Sequence, residues 1–230
     1  MKKITFFTIW FAVLVLLPVL NYGRNLKNVD YLIYGLGPFE NNHSILSKDL
    51  QQTQDASEYF KLGQDAAKSG NHRKAIEYFT KAIELKPNDV NIYIARGWSY
   101  YALKDYKNAT YDFTKAIELK KFDNDAEAYY GRGSAYYRLK DYEQALFDLN
   151  KAIDLKSNYV AAYRIRGWLY YDKGDYENAI SDFSYIIKHE GNNAEAYYVR
   201  GSAYRKLGKN DLAQKDLKKA CELDISYCKS

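Results

Sequence analysis

The stretch YIARGWSYYALKDYKNATYDFTKA, residues 93–116, returns in modified form as YYGRGSAYYRLKDYEQALFDLNKA, residues 129–152. In each copy a glycine is followed twelve residues later by an alanine, and apolar side chains recur every three or four positions on either side of a short polar segment. This spacing places the apolar side chains on one face of an α-helix, and the polar segment interrupts it. Each copy therefore predicts two helices joined by a turn.

The glycine–alanine pair occurs five times along the chain of 230 residues. The steps between successive glycines are 34, 36, 34 and 34 residues, and the alanines keep the same steps. Two independent markers that share every step indicate internal repeats and exclude coincidence. The markers are Gly63, Gly97, Gly133, Gly167 and Gly201, together with Ala75, Ala109, Ala145, Ala179 and Ala213.

This pattern resembles the tetratricopeptide repeat. The second copy carries the residue series of that family as Tyr93, Gly97, Tyr100, Ala109, Phe113 and Ala116, and the closing proline occurs only as Pro87. Leu149 and Leu217 replace the phenylalanine and Ile186 replaces an alanine, and all three keep the apolar character of the position.

The resemblance implies an all-α fold: a right-handed superhelix, or solenoid, of five helix-turn-helix hairpins, preceded by an N-terminal hydrophobic helix. A single hairpin cannot cover its own apolar face, so the five are expected to stack into one continuous core. The predicted hairpins are residues 56–89, 90–123, 126–159, 160–193 and 194–227.

Two further residue types follow the period. A short polar residue stands four positions before the packing alanine in the first four copies, where it can cap the second helix, whereas the fifth copy has Lys209 and predicts a less well capped helix. An arginine precedes the marker glycine in four copies, and we expect a structural cross-hairpin contact in preference to a ligand clamp. The polar residues are Asn71, Asp105, Asp141 and Asp175, and the arginines are Arg96, Arg132, Arg166 and Arg200.

By the same resemblance, the first helices line a concave groove that binds a protein or peptide partner. Its tyrosines have a scaffold role as their alternative, and Trp98 and Trp168 stand where the family more often has a short polar residue. Partner contact and filling of a gap between hairpins both remain open for these two tryptophans. The groove residues implied are Phe60, Gln64, Ile94, Trp98, Tyr101, Tyr130, Tyr137, Arg138, Arg164, Trp168, Tyr171, Tyr198 and Arg205.

One known ligand of the family is disfavoured. Its clamp for acidic chaperone tails uses lysine, asparagine and arginine, and the matching places here hold Phe60, Gln64, Ala95, Glu127 and Gly131. An extended or helical peptide with apolar side chains suits an aromatic groove better.

The N-terminus carries a targeting pattern. Lys2 and Lys3 precede the apolar run of residues 4–20, which predicts a signal anchor or signal peptide over residues 1–20 and a link to the membrane. Bulky residues stand where a cleavage site needs small ones, which favours a retained anchor with the repeats on the exported side. The alternative is a cleaved, soluble protein that is secreted or periplasmic. Residues 21–55 are predicted to be a linker.

Cys221 and Cys228 leave two outcomes open. In one continuous helix their Cα atoms would be about 10 Å apart, beyond the disulfide limit of about 7 Å. A disulfide therefore requires the chain to turn back after Asp224, and otherwise both thiols are free.

The composition argues against several classes of function. A net charge of +5, with charges that alternate in sign, argues against nucleic-acid binding. The three histidines and two cysteines do not stand at metal-ligand spacing, and no nucleophile–base pair or phosphate loop is present, so we expect no metal, no cofactor and no catalytic residue. The sequence predicts a non-catalytic scaffold or adaptor, or alternatively a soluble accessory subunit of a larger complex.

Overall fold

A computed structural model describes residues 40–120 and 125–229, with side chains described from residue 51 to residue 228. These ranges contain ten α-helices, a final 3₁₀ helix at Ile225–Lys229, and no strand. The helices are α1 (Glu40–Lys68), α2 (His72–Leu85), α3 (Val90–Ala102), α4 (Tyr106–Leu119), α5 (Ala126–Arg138), α6 (Tyr142–Leu155), α7 (Val160–Lys173), α8 (Tyr176–His189), α9 (Ala194–Lys206) and α10 (Asn210–Leu223).

The helices pair into five hairpins, and residues 49–230, which begin inside α1, form one compact unit. Hairpin 1 is α1–α2, hairpin 2 is α3–α4, hairpin 3 is α5–α6, hairpin 4 is α7–α8 and hairpin 5 is α9–α10. From α3 onward each helix contacts the next along the chain, and the first helices of neighbouring hairpins also touch, α3 with α5, α5 with α7 and α7 with α9. The predicted all-α stack is therefore present, while the N-terminal hydrophobic helix lies outside the described residues.

The core forms where a first helix crosses a second helix. Phe79 on α2 is buried against Gly63 on α1, where an added Cβ would lie 2.5 Å from the phenylalanine ring. Phe113 on α4 packs in the same close way against Gly131 on α5, a glycine outside the marker series. These glycines are needed because a side chain at either position would overlap the ring.

Side-chain caps fix the start of the second helices as predicted. The side chain of Asp175 accepts a hydrogen bond from the backbone N–H of Asn178, and the equivalent residues of hairpins 1, 2 and 3 make the same contact. Lys209 makes no such bond at the start of α10, although its backbone angles (φ −84°, ψ 66°) are close to those of Asp175 (φ −83°, ψ 71°).

We therefore expect Lys209→Asp to raise the free energy of unfolding by about 1 kcal/mol. The backbone already has the capping geometry, so an aspartate can accept from the unpaired N–H groups of the first turn of α10. Thermal denaturation of the purified chain measures the gain. Lys209→Ala is the control, because it removes the same charge without adding an acceptor; an equal gain in that variant would contradict the capping argument.

Of the predicted linker, residues 40–55 are helical, because α1 begins at Glu40. No glycine or proline stands between Glu40 and Leu62, so nothing interrupts the helix when it is followed back from hairpin 1. Nε2 of Gln52 also donates to the carbonyl oxygen of Leu85, which ties this part of α1 to the end of α2 at 3.0 Å. Residues 21–39 lie outside the described residues.

The targeting segment predicted at residues 1–20 also lies outside the described residues. Among the helices that the structure does describe, none combines the length and the hydropathy needed to cross a bilayer.

Candidate partner-binding face

Positions i, i+4 and i+7 of each first helix share one side of that helix. We call the surface formed by these positions on the five first helices the first-helix face. Its residues are Phe60, Gln64 and Ala67 on α1; Ile94, Trp98 and Tyr101 on α3; Tyr130, Ser134 and Tyr137 on α5; Arg164, Trp168 and Tyr171 on α7; and Tyr198, Ser202 and Arg205 on α9.

The predicted groove residues differ in how much surface they offer. Phe60 is half-buried and packs on the ring of Phe79 with the centroids 5.7 Å apart. Ile94 is only 6% exposed and belongs to the core between hairpins 2 and 3, so it presents almost no surface to a partner. Arg138 lies beside the face, where its Nε donates to the hydroxyl oxygen of Tyr106 at 3.1 Å.

Trp98 bridges hairpins 2 and 3. Its Nε1 donates to Oε1 of Glu127 at 3.1 Å, and its ring centroid lies 5.1 Å from Phe113 and 5.5 Å from both Tyr101 and Tyr130. The ring thus fills the gap between two hairpins, and the residue stays part-exposed.

Trp168 repeats this arrangement between hairpins 4 and 5. Its Nε1 donates to Oε1 of Glu195 at 2.8 Å, and its ring lies edge-on to Tyr171 and Phe183. Both tryptophans therefore have the gap-filling role that the sequence left open, and each keeps an exposed part that a partner can reach.

Tyrosines near the two tryptophans are held by a hydrogen bond and by ring contacts. The hydroxyl of Tyr137 donates to Oδ2 of Asp172 at 2.7 Å, which joins α5 to α7. Burial, together with this hydrogen bond, raises the pKa of Tyr137 well above its usual value, so the phenol stays neutral. The rings of Tyr101 and Tyr171 pack edge-on against tyrosines at the start of the following second helix.

Each tryptophan belongs to a four-residue group that occurs twice. Cluster I is Trp98, Glu127, Tyr130 and Tyr159, and cluster II is Trp168, Glu195, Tyr198 and Tyr227. The two tyrosine rings of each cluster lie with their centroids 4.9 Å apart. The carboxylates and tyrosines of the two clusters are 68 residues apart and the tryptophans 70, so the clusters repeat with a period of two hairpins.

The carboxylates act on the tyrosines of their clusters. Burial is the main reason why the pKa of Tyr159 is raised, and the negative charge of Glu127 adds to it. Burial likewise raises the pKa of Tyr227, and the charge of Glu195 adds to it. Each cluster is thus a patch of neutral aromatic rings beside its glutamate, with a second carboxylate nearby, Asp125 at cluster I and Asp224 at cluster II.

The clusters differ in a neighbouring residue on the first helix that carries their tryptophan. In cluster II, Nε of Arg164 lies 3.6 Å from Oε2 of Glu195, and its Nη2 lies 3.3 Å from Oε2 of Glu190. The residue at the matching position of α3 is Ile94, so cluster I has no arginine of its own from this position.

A disulfide fixes the segment that carries Tyr227 of cluster II. Helix α10 ends at Leu223, the chain turns at Asp224, and Cys221 and Cys228 are bridged with their Cα atoms 4.5 Å apart. The bridge holds the 3₁₀ helix against α10, so that Tyr227 lies on Tyr198 where Tyr159 lies on Tyr130 in cluster I. Of the two outcomes left open for the cysteines, the structure has the bond.

The periodic arginines lie away from this face and hold the hairpins together, as predicted. Arg132 binds both oxygens of Asp148 at 2.7 and 2.8 Å, and its Nη1 donates to Oγ1 of Thr114 on hairpin 2. Burial disfavours the charged form of Arg132, but the bonds to Asp148 outweigh it and raise its pKa. Equivalent pairs are Arg96 with Asp112, Arg166 with Asp182 and Arg200 with Asp216.

The sequence reasoning missed the acidic partners, although a signal was available. Asp112, Asp148, Asp182 and Asp216 each stand three residues after a packing alanine, with the same steps as the arginines. It also missed Glu127, Glu195, Tyr159 and Tyr227 as members of the clusters. Within the described ranges, no group of histidine, cysteine, aspartate and glutamate side chains is arranged to hold a metal ion.

Comparison with known proteins identifies the family that has this architecture. Models described as "Tetratricopeptide repeat" match residues 56–89, 90–123, 126–159, 160–184 and 194–224, which is more than half of the chain. A crystal structure of MamA protein is 28% identical, with a TM-score of 0.67, and the match covers 76% of this chain and 95% of that one.

Of two further matches, one has lower sequence identity and the other covers a shorter part of the chain. The structure of YrrB, described as a TPR protein with an unusual peptide-binding site, is 23% identical with a TM-score of 0.64, and the match covers 78% of this chain and 92% of that one. A UDP-N-acetylglucosamine–peptide N-acetylglucosaminyltransferase of Giardia intestinalis (strain ATCC 50803 / WB clone C6) is 38% identical over 61 residues. That match covers 26% of this chain and 4% of the transferase.

Proposed function

The chain belongs to the tetratricopeptide repeat family, and from this premise we propose that it is a non-catalytic scaffold that holds a polypeptide partner on its first-helix face. Scaffolds of this family typically mediate protein–protein interaction. The observation that carries the proposal is the row of half-buried aromatic side chains along that face. The row consists of Trp98, Tyr101, Tyr130, Tyr137, Trp168, Tyr171 and Tyr198.

Tryptophan and tyrosine are the residues that most often anchor protein interfaces, because each buries a large area and keeps a polar group for hydrogen bonding. The rings of this row are already fixed by neighbours. Tyr137 is bonded to Asp172, and both tryptophans are bonded to a glutamate of the next hairpin. A partner would therefore order few side chains on binding, which lowers the entropic cost of association.

An extended or helical peptide fits this row best. Aromatic residues occur on successive first helices, so an elongated ligand that crosses the hairpins can contact several of them. The proposed groove follows from the right-handed superhelix that the family resemblance implies.

We further propose that the repeats act on the exported side of a membrane, anchored by residues 1–20. The disulfide between Cys221 and Cys228 supports an oxidising compartment, because thiols are kept reduced in the cytosol of most organisms. The charged and then apolar N-terminal sequence supports targeting. The alternative is a cleaved, soluble accessory subunit, and cell fractionation with a mass measurement of the mature N-terminus distinguishes the two.

Site-specific photo-crosslinking in the native cell tests the scaffold function. A photoreactive phenylalanine analogue in place of Tyr101 or Tyr171 is expected to crosslink a polypeptide partner, because both side chains lie on the first-helix face and are part-exposed. The measurement is the crosslinked band on a gel, identified by mass spectrometry.

Tyr111 and Phe147 provide matched control positions, because they are aromatic and exposed (57% and 64%) but lie on second helices. The same analogue at these two positions is expected to give no crosslink to that partner. Equal crosslinking from both pairs of positions, or a partner found only from Tyr111 and Phe147, would overturn the proposed face.

A further inference from the structure

We propose that cluster I holds an arginine or lysine side chain of the partner, so that the ligand is a peptide with a basic residue among apolar ones. This inference rests on the proposed function and names the ligand chemistry of the same face. It follows from the comparison of two clusters that share their composition and register, of which cluster II has Arg164 beside its carboxylate.

Cluster II shows what such a cluster takes up. One carboxylate oxygen of Glu195 accepts from Trp168, and the guanidinium of Arg164 lies 3.6 Å from the other. The chain's own arginine thus supplies the cation beside this carboxylate. A carboxylate is a favourable site for a cation, through charge-assisted hydrogen bonds.

Cluster I has the same four residues with Ile94 at the place of Arg164, and Arg164 itself, on α7, acts through its charge on Tyr130 of cluster I. Oε1 of Glu127 accepts from Trp98, and the side chain of Glu127 is exposed. Ile94 stands at the position of Arg164 and is turned into the core. Lys120, which stands in the connection before α5, pairs with Asp125 at 3.4 Å.

The surroundings of cluster I favour arginine or lysine over other ligands. Trp98 donates to the carboxylate and packs on Tyr130, which packs on Tyr159, so this row of rings offers apolar surface to the methylene groups of a long basic side chain. An acidic side chain would meet the charge of Glu127. A purely apolar side chain would remove that carboxylate from water without a partner, which is unfavourable.

Selection from a random peptide library tests the inference. The full-length chain in detergent micelles is incubated with displayed peptides of about twelve residues, which cross several hairpins when extended. We expect the enriched peptides to share one arginine or lysine flanked by apolar residues. A synthetic copy of the best peptide should bind about tenfold more tightly, or more, than the same peptide with citrulline, the neutral isostere of arginine.

Glu127→Gln is the decisive variant. Glutamine keeps the size of the side chain and still accepts from Trp98, so the fold and the aromatic surface are retained. We expect the variant to bind the arginine peptide about as weakly as wild type binds the citrulline peptide. Glu195→Gln is the matched control and should leave the affinity unchanged, because Glu195 is already paired with Arg164.

The outcomes separate this inference from the proposed function. Peptides that are enriched without a basic residue, or an arginine preference that survives Glu127→Gln, would overturn the inference and leave the scaffold function standing. Failure of the wild-type chain to enrich any peptide above a bare support would count against peptide binding itself, and the inference would fall with it.

Discussion

Asp148→Ala is expected to lower the free energy of unfolding by about 3–5 kcal/mol. The side chains of Arg132 and Asp148 are only 16% and 2% exposed, and the guanidinium has both carboxylate oxygens as its acceptors. Removal of the carboxylate leaves a positive charge in the interior with Thr114 as its remaining side-chain acceptor. Urea denaturation followed by far-UV circular dichroism measures the loss.

Hairpin 1 supplies the design of the control. In hairpin 1, Leu62 and Tyr78 occupy the positions that the arginine and the aspartate have in the other hairpins. An uncharged pair is therefore compatible with the hairpin. The double variant Arg132→Leu/Asp148→Tyr should therefore be more stable than Asp148→Ala alone, because no unpaired charge remains. A double variant less stable than the single one would contradict the view that the unpaired arginine causes the loss.

Phe113→Ala should destabilise the chain to a similar extent, by about 3–5 kcal/mol. The ring is fully buried, touches the ring of Trp98, and fits against Gly131 so closely that an added Cβ would lie 2.5 Å from it. Its removal leaves a cavity between hairpins 2 and 3 that the surrounding helices can close only in part. The change in thermal unfolding is the measurement.

Phe147→Ala is the matched substitution. Phe147 lies on the equivalent second helix of hairpin 3, but its side chain is 64% exposed. We expect a change within about 0.5 kcal/mol, as for most surface substitutions. Comparable losses in the two variants would mean that burial does not decide the contribution of a phenylalanine in this stack.

The Phe113 variant also links stability to the proposed binding face. The ring of Phe113 packs against the ring of Trp98. Its loss should therefore destabilise cluster I before the rest of the stack unfolds. Cluster II has Phe183 under Trp168 and is too far along the chain to be affected directly. A change in the fluorescence of the tryptophans that precedes global unfolding would report this.

Several features could be predicted from the sequence because they depend on local spacing. The step between Gly97 and Gly133 predicts the hairpins, since helix periodicity is decided by neighbouring residues. The cap at Asp175 follows from its place directly before an apolar helix, since it acts only on the first turn. The missing cap at Lys209 could be predicted for the same reason.

Other features depended on the way in which hairpins pack. The pairing of Arg132 with Asp148 joins residues sixteen positions apart on two helices, and the bond from Trp98 to Glu127 joins two hairpins. The early start of α1 at Glu40 does not follow from its polar composition, which predicts a solvated linker. Helix propensity alone does not tell such a segment from a loop.

The sequence by itself thus determined the number of hairpins, the position of their turns and the caps that open their second helices. Only the tertiary structure decided which aromatic rings meet, that Arg164 lies beside Glu195 of cluster II, and that the chain turns at Asp224 to join two cysteines. The physical reason is that these contacts depend on the crossing of helices and on side-chain rotamers, which bring together residues that no local pattern connects.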